Sequence, residues 1–255
     1  MLLKEIKADK LKVEIYDSRD AMGFAAGTAT VAKLRELLAE KDEVNMIFTA
    51  APSQNETLDT LCKAEGIDWS RVNAFHMDEY IGLSPDAPQC FGNFLREHIF
   101  AKLPFKNVYY IAEAGKTGEE ICETYTELLK SHKIDIVCLG IGENGHIAFN
   151  DPWVADFSDP VLIKRVPLDP VCRQQQVNDG CFAKLEDVPE YALTLTVPAL
   201  TAADYLYCTV PAKTKAEAVY NTIYHEIGEA VPATSMRLHD HAVMYCDKDS
   251  GEKVF

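Results

Sequence analysis

Two short runs hold most of the residues that could do proton chemistry. They are His76-Met77-Asp78-Glu79-Tyr80 and Gly140-Ile141-Gly142-Glu143-Asn144-Gly145-His146, the latter continuing through Ile147-Ala148-Phe149-Asn150 to Asp151-Pro152. An imidazole with carboxylates beside it can be tuned to move protons near neutral pH. The adjacent acids Asp78 and Glu79 are flanked by Phe75, Met77, Tyr80 and Ile81. Partial burial is therefore expected, and burial raises a carboxylate's pKa and improves it as a base. The glycines permit tight or left-handed backbone and let a ligand approach the main chain.

Two other readings compete for these residues. Gly140 to Gly145 also spells Gly-x-Gly-x-x-Gly, the dinucleotide fingerprint, which requires a helix opening at its third glycine. Here Gly145 is followed within a few residues by Asn150-Asp151-Pro152, a turn signal, which argues against a nucleotide site. His76, Asp78 and His146 offer a metal set, but no pair has helical His-x-x-x-His spacing. No metal and no cofactor are expected.

The elements that would position these residues alternate between strand and helix patterns. Strands are predicted at Leu11–Tyr16 (an edge strand), Val44–Thr49, Val72–Phe75, Val108–Ile111, Ile134–Cys138, Tyr191–Val197, Tyr205–Val210 and Ala242–Cys246. Helices are predicted after Ser18, with Phe24, Val31, Leu34, Leu37 and Leu38 on one face, and around Leu58 and Leu61. Others follow at Phe91–Leu103, Gly118–His132 and Lys215 to about Ile227. The alternation predicts an α/β fold, a mainly parallel sheet with helices on both faces. Both reactive runs then follow strands, where open α/β sheets bind ligands. Residues 152–189 are the least regular stretch and are expected to cover the site as a lid rather than form a second domain. A single domain over 1–255 follows.

The net charge of −15 excludes nucleic acid and anionic membrane as main partners, since both need basic surface. The eight cysteines contain no Cys-x-x-Cys pair, which fits free thiols in a reducing cytoplasm. No stretch approaches transmembrane length or a signal peptide. Composition leaves homo-oligomerisation open.

The chain resembles the glucosamine-6-phosphate deaminase (isomerase) family. The resemblance is carried by Met77 to Leu83, Gly140 to Pro152, Tyr191-Ala192-Leu193-Thr194, Lys215-Ala216-Glu217-Ala218-Val219, and Leu238-His239 followed by Ala242 to Asp247. It implies a Rossmann-like three-layer α/β/α fold, similar to ribose-5-phosphate isomerase and CoA-transferase-like proteins. It also implies conversion of a hexosamine 6-phosphate to fructose 6-phosphate and ammonia without metal or redox cofactor. By resemblance, Asp78 moves the proton between C2 and C1 and His146 opens the sugar ring. Asp151, Asn144 and Glu143 would orient the imidazole. Ala51, Ser53, Glu79, Gly145, Arg173 and Lys215 would bind substrate or its phosphate, the last at a helix start whose amides favour anions.

The chain departs from the family pattern at three places. Ala50-Ala51-Pro52-Ser53 stands where most members carry a glycine-containing phosphate turn, and Pro52 removes an amide donor. Asn144 replaces an aspartate found in some members and cannot exchange a proton. Asp151 is one methylene shorter than the usual glutamate. With Asp156 and Asp159 in the following loop and a short tail ending at Phe255, no activation by N-acetylglucosamine 6-phosphate is expected. The alternatives are another sugar-phosphate isomerase or lactonase on the same fold, a non-catalytic sugar-phosphate sensor and, more distantly, a dehydrogenase.

Overall fold

An antiparallel hairpin opens the chain, β1 (Leu2–Ala8) and β2 (Leu11–Tyr16), turning at Asp9 with φ +52°. These coordinates come from a computed structural model that describes residues 1–112 and 116–255. Ser18 caps α1 (Arg19–Glu40) by accepting from Ala21 N at 3.2 Å. Met22, Ala26, Val31, Leu34 and Leu37 form the buried stripe of α1, whereas Phe24 is 64% exposed and lies off it.

β3 (Val44–Phe48) is wholly buried and leads through a short 3₁₀ turn, Pro52–Gln54, into α2 (Asn55–Cys62). β4 (Val72–His76) and β5 (Asp78–Tyr80) are separated only by Met77. α3 (Phe91–Leu95) widens into a π-helical turn over Arg96–Phe100. Then come β6 (Asn107–Tyr109), α4 (Gly118–Ser131) and β7 (Ile136–Leu139). They are followed by β8 (Ile163–Pro167), α5 (Pro170–Asn178), β9 (Tyr191–Leu195) and α6 (Val197–Thr201). β10 (Tyr205–Val210), α7 (Ala216–Tyr224) and β11 (Ala242–Asp247) complete the main elements.

The main sheet has the order β1-β2-β11-β10-β7-β3-β4-β6, parallel except for β1. Its apolar faces pack into one hydrophobic cluster on each side, the three-layer arrangement the sequence predicts. β2 is therefore an inner strand and β1 takes the edge. Within β1 only Ala8 is buried, so the strand carries little apolar periodicity to announce it.

From β3 the chain lays down β4 and β6 on one side. From β7 it lays down β10 and β11 on the other. The direction reverses between β3 and β7, and the loops leaving these two strands open a crevice there. A second sheet, β5-β9-β8, is antiparallel and stands over that crevice. Tyr191–Leu195 thus belongs to this smaller sheet rather than to the parallel one. Residues 152–189 are also more regular than expected, since they contain β8 and α5. The prolines there open or close elements: Pro167 ends β8, and Pro170 starts α5 behind the Asp169 cap, where a missing N–H costs nothing.

Candidate active site

β5 turns Glu79 to the face opposite Asp78 and Tyr80, as strand alternation requires. Asp78 is buried and lines the crevice, and its Oδ1 has no hydrogen-bond partner among the described residues. Burial pushes its pKa well above the ordinary carboxylate range, and the neighbouring Glu79 charge pushes the same way. Glu79 turns away from the crevice. Its Oε1 accepts from Tyr80 N (3.0 Å) and Phe91 N (2.9 Å), and its Oε2 accepts from Gly92 N (2.8 Å). Glu79 therefore holds the start of α3 and does not line the pocket with Asp78. Tyr80 joins Phe91, Phe149 and Phe182 in an aromatic cluster.

The glycine loop after β7 carries His146 into the same crevice. A Cβ on Gly142 would stand 2.1 Å from the His146 ring, so the imidazole needs bare backbone there. Gly145 has φ +81° and closes the turn by donating from its N to Gly142 O at 3.1 Å. It shapes the loop without lining the pocket. Ala148 and Ala212, two of the three non-glycine residues with positive φ among the described residues, do line it. Such conformations concentrate where surrounding structure enforces a functional geometry.

His146 Nδ1 lies 2.7 Å from Asn144 Oδ1 and 3.1 Å from Asp151 Oδ1. Asn144 also accepts from His146 N (3.1 Å) through Oδ1 and donates from Nδ2 to Asp151 Oδ1 (2.9 Å). Two acceptors at Nδ1 place the proton there and leave Nε2 as the basic nitrogen. Burial pushes the Asp151 carboxyl up, but its contact with His146 and the Asn144 hydrogen bond outweigh that and hold it below the ordinary range. Asn144 and Asp151 thus sit behind His146 rather than in the pocket.

The second sheet fixes the distance between the two reactive groups. Asp78 pairs with Thr194 across β5 and β9, and Thr194 Oγ1 accepts from Phe149 N at 3.1 Å. Asn150 Nδ2 donates to Leu195 O at 2.8 Å, tying the end of the glycine loop to the same strand.

Lys215 reaches the pocket from the short 3₁₀ turn Lys213–Lys215 ahead of α7. Its side chain makes no hydrogen bond or ion pair among the described residues. Burial pulls its pKa down, opposed by the charges of Asp179 and Glu143. Ala51 and Ser53 line the pocket as well. Ala51 is extended (φ −156°), a conformation open to any residue. Arg173 does not reach the pocket. Its guanidinium donates to Leu185 O (3.0 Å) and Val188 O (2.8 Å), bracing the chain after α5. Arg19 lines the pocket instead, bonded to Glu56 Oε1 (2.8 Å) and to Pro52 O. Its signal in the sequence is its place directly after β2, at the same carboxyl edge as the other loops. Gln175, Gln176 and Asp179 also line the pocket; they carry no signal in the sequence, because no clear periodicity announces α5.

The set His76, Asp78 and His146, weighed against in the sequence, is not brought together among the described residues. His76 Nε2 accepts from Ile111 N (2.8 Å) and its Nδ1 bonds Asp78 O (3.0 Å), so both ring nitrogens serve the backbone. Burial pushes its pKa down to about 4. His146, Asp151 and Cys172 bring potential ligand atoms within 4.8 Å of one another. Burial pushes the Cys172 thiol well above its usual range, which disfavours the thiolate, the stronger ligand.

A family model for glucosamine-6-phosphate isomerases/6-phosphogluconolactonase matches residues 17–151. A glucosamine-6-phosphate deaminase of Streptococcus sanguinis (strain SK36) is 30% identical over 224 residues, 88% of this chain and 92% of that protein. The chain belongs to this glucosamine-6-phosphate isomerase/6-phosphogluconolactonase family. A Bacillus cereus (strain B4264) glucosamine-6-phosphate deaminase is 34% identical over 184 residues, 72% of this chain and 68% of that one. Among solved structures, a monomeric glucosamine-6-phosphate deaminase superposes with TM-score 0.85 at 24% identity, covering 94% of this chain and 98% of that one. The 6-phosphogluconolactonase of Thermotoga maritima superposes with TM-score 0.74 at 21% identity, covering 94% and 100%. The family fold is thus common to deaminases and lactonases. Among the described residues of this family member, no helix is long and apolar enough to cross a membrane.

Proposed function

We propose that this chain is a cytoplasmic amino-sugar-phosphate deaminase that converts glucosamine 6-phosphate, or a close hexosamine phosphate, to fructose 6-phosphate and ammonia. One observation carries the reading. A buried carboxylate, Asp78, whose Oδ1 has no hydrogen-bond partner among the described residues, shares a cavity with a histidine whose Nδ1 is held by Asn144 and Asp151. Curated relatives at 30% and 34% identity carry the same activity in their names.

His146 Nε2 takes the proton of the anomeric hydroxyl and returns one to the ring oxygen, opening the pyranose. Asp151 stays ionised behind Nδ1 and favours the imidazolium that forms in between. Asp78 removes the C2 proton of the open aldose while the C2 ammonium passes a proton to O1, giving an enolamine, and Asp78 then returns its proton to C1. The resulting imine at C2 adds water and releases ammonia, leaving the ketose. Before this step Asp78 must be ionised, and the ammonium at C2 of the incoming substrate lowers its pKa by charge proximity. A base whose pKa is raised toward neutrality transfers protons in both directions with little driving force lost. Lys215 and the Ser53 hydroxyl receive the 6-phosphate. Every group named belongs to one chain, acting as a single domain with residues 152–189 as its cover.

The test is ammonia release from glucosamine 6-phosphate, galactosamine 6-phosphate and unphosphorylated glucosamine, with 6-phosphogluconolactone hydrolysis as a parallel assay. Release from at least one hexosamine 6-phosphate is expected. Lactone hydrolysis without ammonia release would make the chain a lactonase, and binding without either reaction would make it a sensor.

A further inference from the structure

The pocket that holds Lys215 is also lined by a carboxylate, Asp179. Lys215 and Arg19 are the pocket's cations, and Arg19 is already paired with Glu56. Asp179 lines the same pocket, and Asp179 and Glu143 are the carboxylates whose charges act on Lys215. Of the three carboxylates that act on these two cations, Asp179 is the one that lines the pocket.

Asp179 is exposed at the rim, yet it is not a loose surface acid. Its backbone N donates to Gln175 O at 2.8 Å, closing α5. Its Oδ2 accepts from Gln175 Nε2 at 3.3 Å, and Gln175 Oε1 accepts from Glu143 N at 2.9 Å. A buried glutamine thus clamps this carboxylate to the glycine loop, facing the pocket.

We propose that Asp179, tethered by Gln175, is a specificity-determining residue that penalises a doubly charged group beside Lys215 and favours a singly charged one. The inference rests on the deaminase reading for where the substrate's 6-substituent lies. Coulomb energy scales with ligand charge, so the penalty on a dianion is twice that on a monoanion, and its fold-effect on affinity is the square.

Calorimetric binding of glucose 6-phosphate (a dianion at pH 8) and glucose 6-sulfate (a monoanion) tests this without deamination. Asp179→Asn keeps an oxygen for Gln175 and should tighten the phosphate by about tenfold and the sulfate by about threefold in low salt. Asp179→Glu should keep wild-type affinities. Equal gains for both ligands, no gain, or a loss with Asp179→Asn would overturn the proposal, as would failure of the wild type to bind either ligand. Absence of ammonia release alongside the phosphate–sulfate contrast would sink the deaminase reading and leave this inference standing. Ammonia release without the contrast does the reverse.

Discussion

Asp78 and His146 meet at one cavity under opposite electrostatic conditions. Asp78 Oδ1 has no hydrogen-bond partner among the described residues and burial pushes the carboxyl's pKa up, while His146 is anchored through Nδ1. The raised Asp78 pKa has a consequence for stability. An unfolded aspartate ionises near pH 4, but the folded one does so only at higher pH, so the folded state binds the extra proton in between. Stability therefore falls as pH rises through that window. Asp78→Asn should lower kcat by about a thousandfold or more. It should also raise Tm by roughly 3–6 °C at pH 8 and leave it unchanged at pH 3, as read by calorimetry. Asp151→Asn removes the charge behind Nδ1 and should lower kcat about a hundredfold or more while KM moves less than about threefold. A change confined to KM would remove Asp151 from the proton relay.

At the scale of elements, β9 is the brace between the two reactive groups, because Thr194 pairs with Asp78 and accepts from Phe149 N. Thr194→Val leaves that buried N–H without an acceptor. It should cost about 1–3 kcal/mol in urea unfolding and lower kcat without touching substrate. Unchanged turnover would mean that the glycine loop holds His146 in place by itself. The glycine loop was legible in sequence because the buried strand β7 ends abruptly in glycines and a histidine. β5 was not: three residues carry no periodicity, and their strand character comes from pairing with β9, distant in sequence. Glu79 has the composition of a site residue, yet the position of α3 makes it a helix anchor. Gln175 and Asp179 were invisible for the same reason, since their roles depend on where α5 lands.

For the whole molecule, a mainly parallel sheet with its reactive loops following strands was legible in the alternating strand and helix patterns, whereas the strand order and the β3–β7 reversal came only with the fold. The second sheet was not legible, because it joins segments from three separate parts of the chain. The net charge of −15 repels an anionic substrate at long range, and Lys215 acts only once the substrate has arrived. Screening by salt should therefore raise kcat/KM, by roughly twofold between 20 and 150 mM potassium glutamate, a bulky anion that competes poorly for the pocket. A fall over that range would mean that the pocket cations dominate the encounter.

The central claim is that Asp78 carries a proton between C2 and C1. Fructose 6-phosphate and ammonium incubated with the enzyme in D₂O report it through NMR, because the shuttle labels carbon-bound positions with deuterium. Wild-type protein should incorporate deuterium at C1 of the ketose, and folded Asp78→Asn should incorporate none. Incorporation by Asp78→Asn at the wild-type rate would contradict the account.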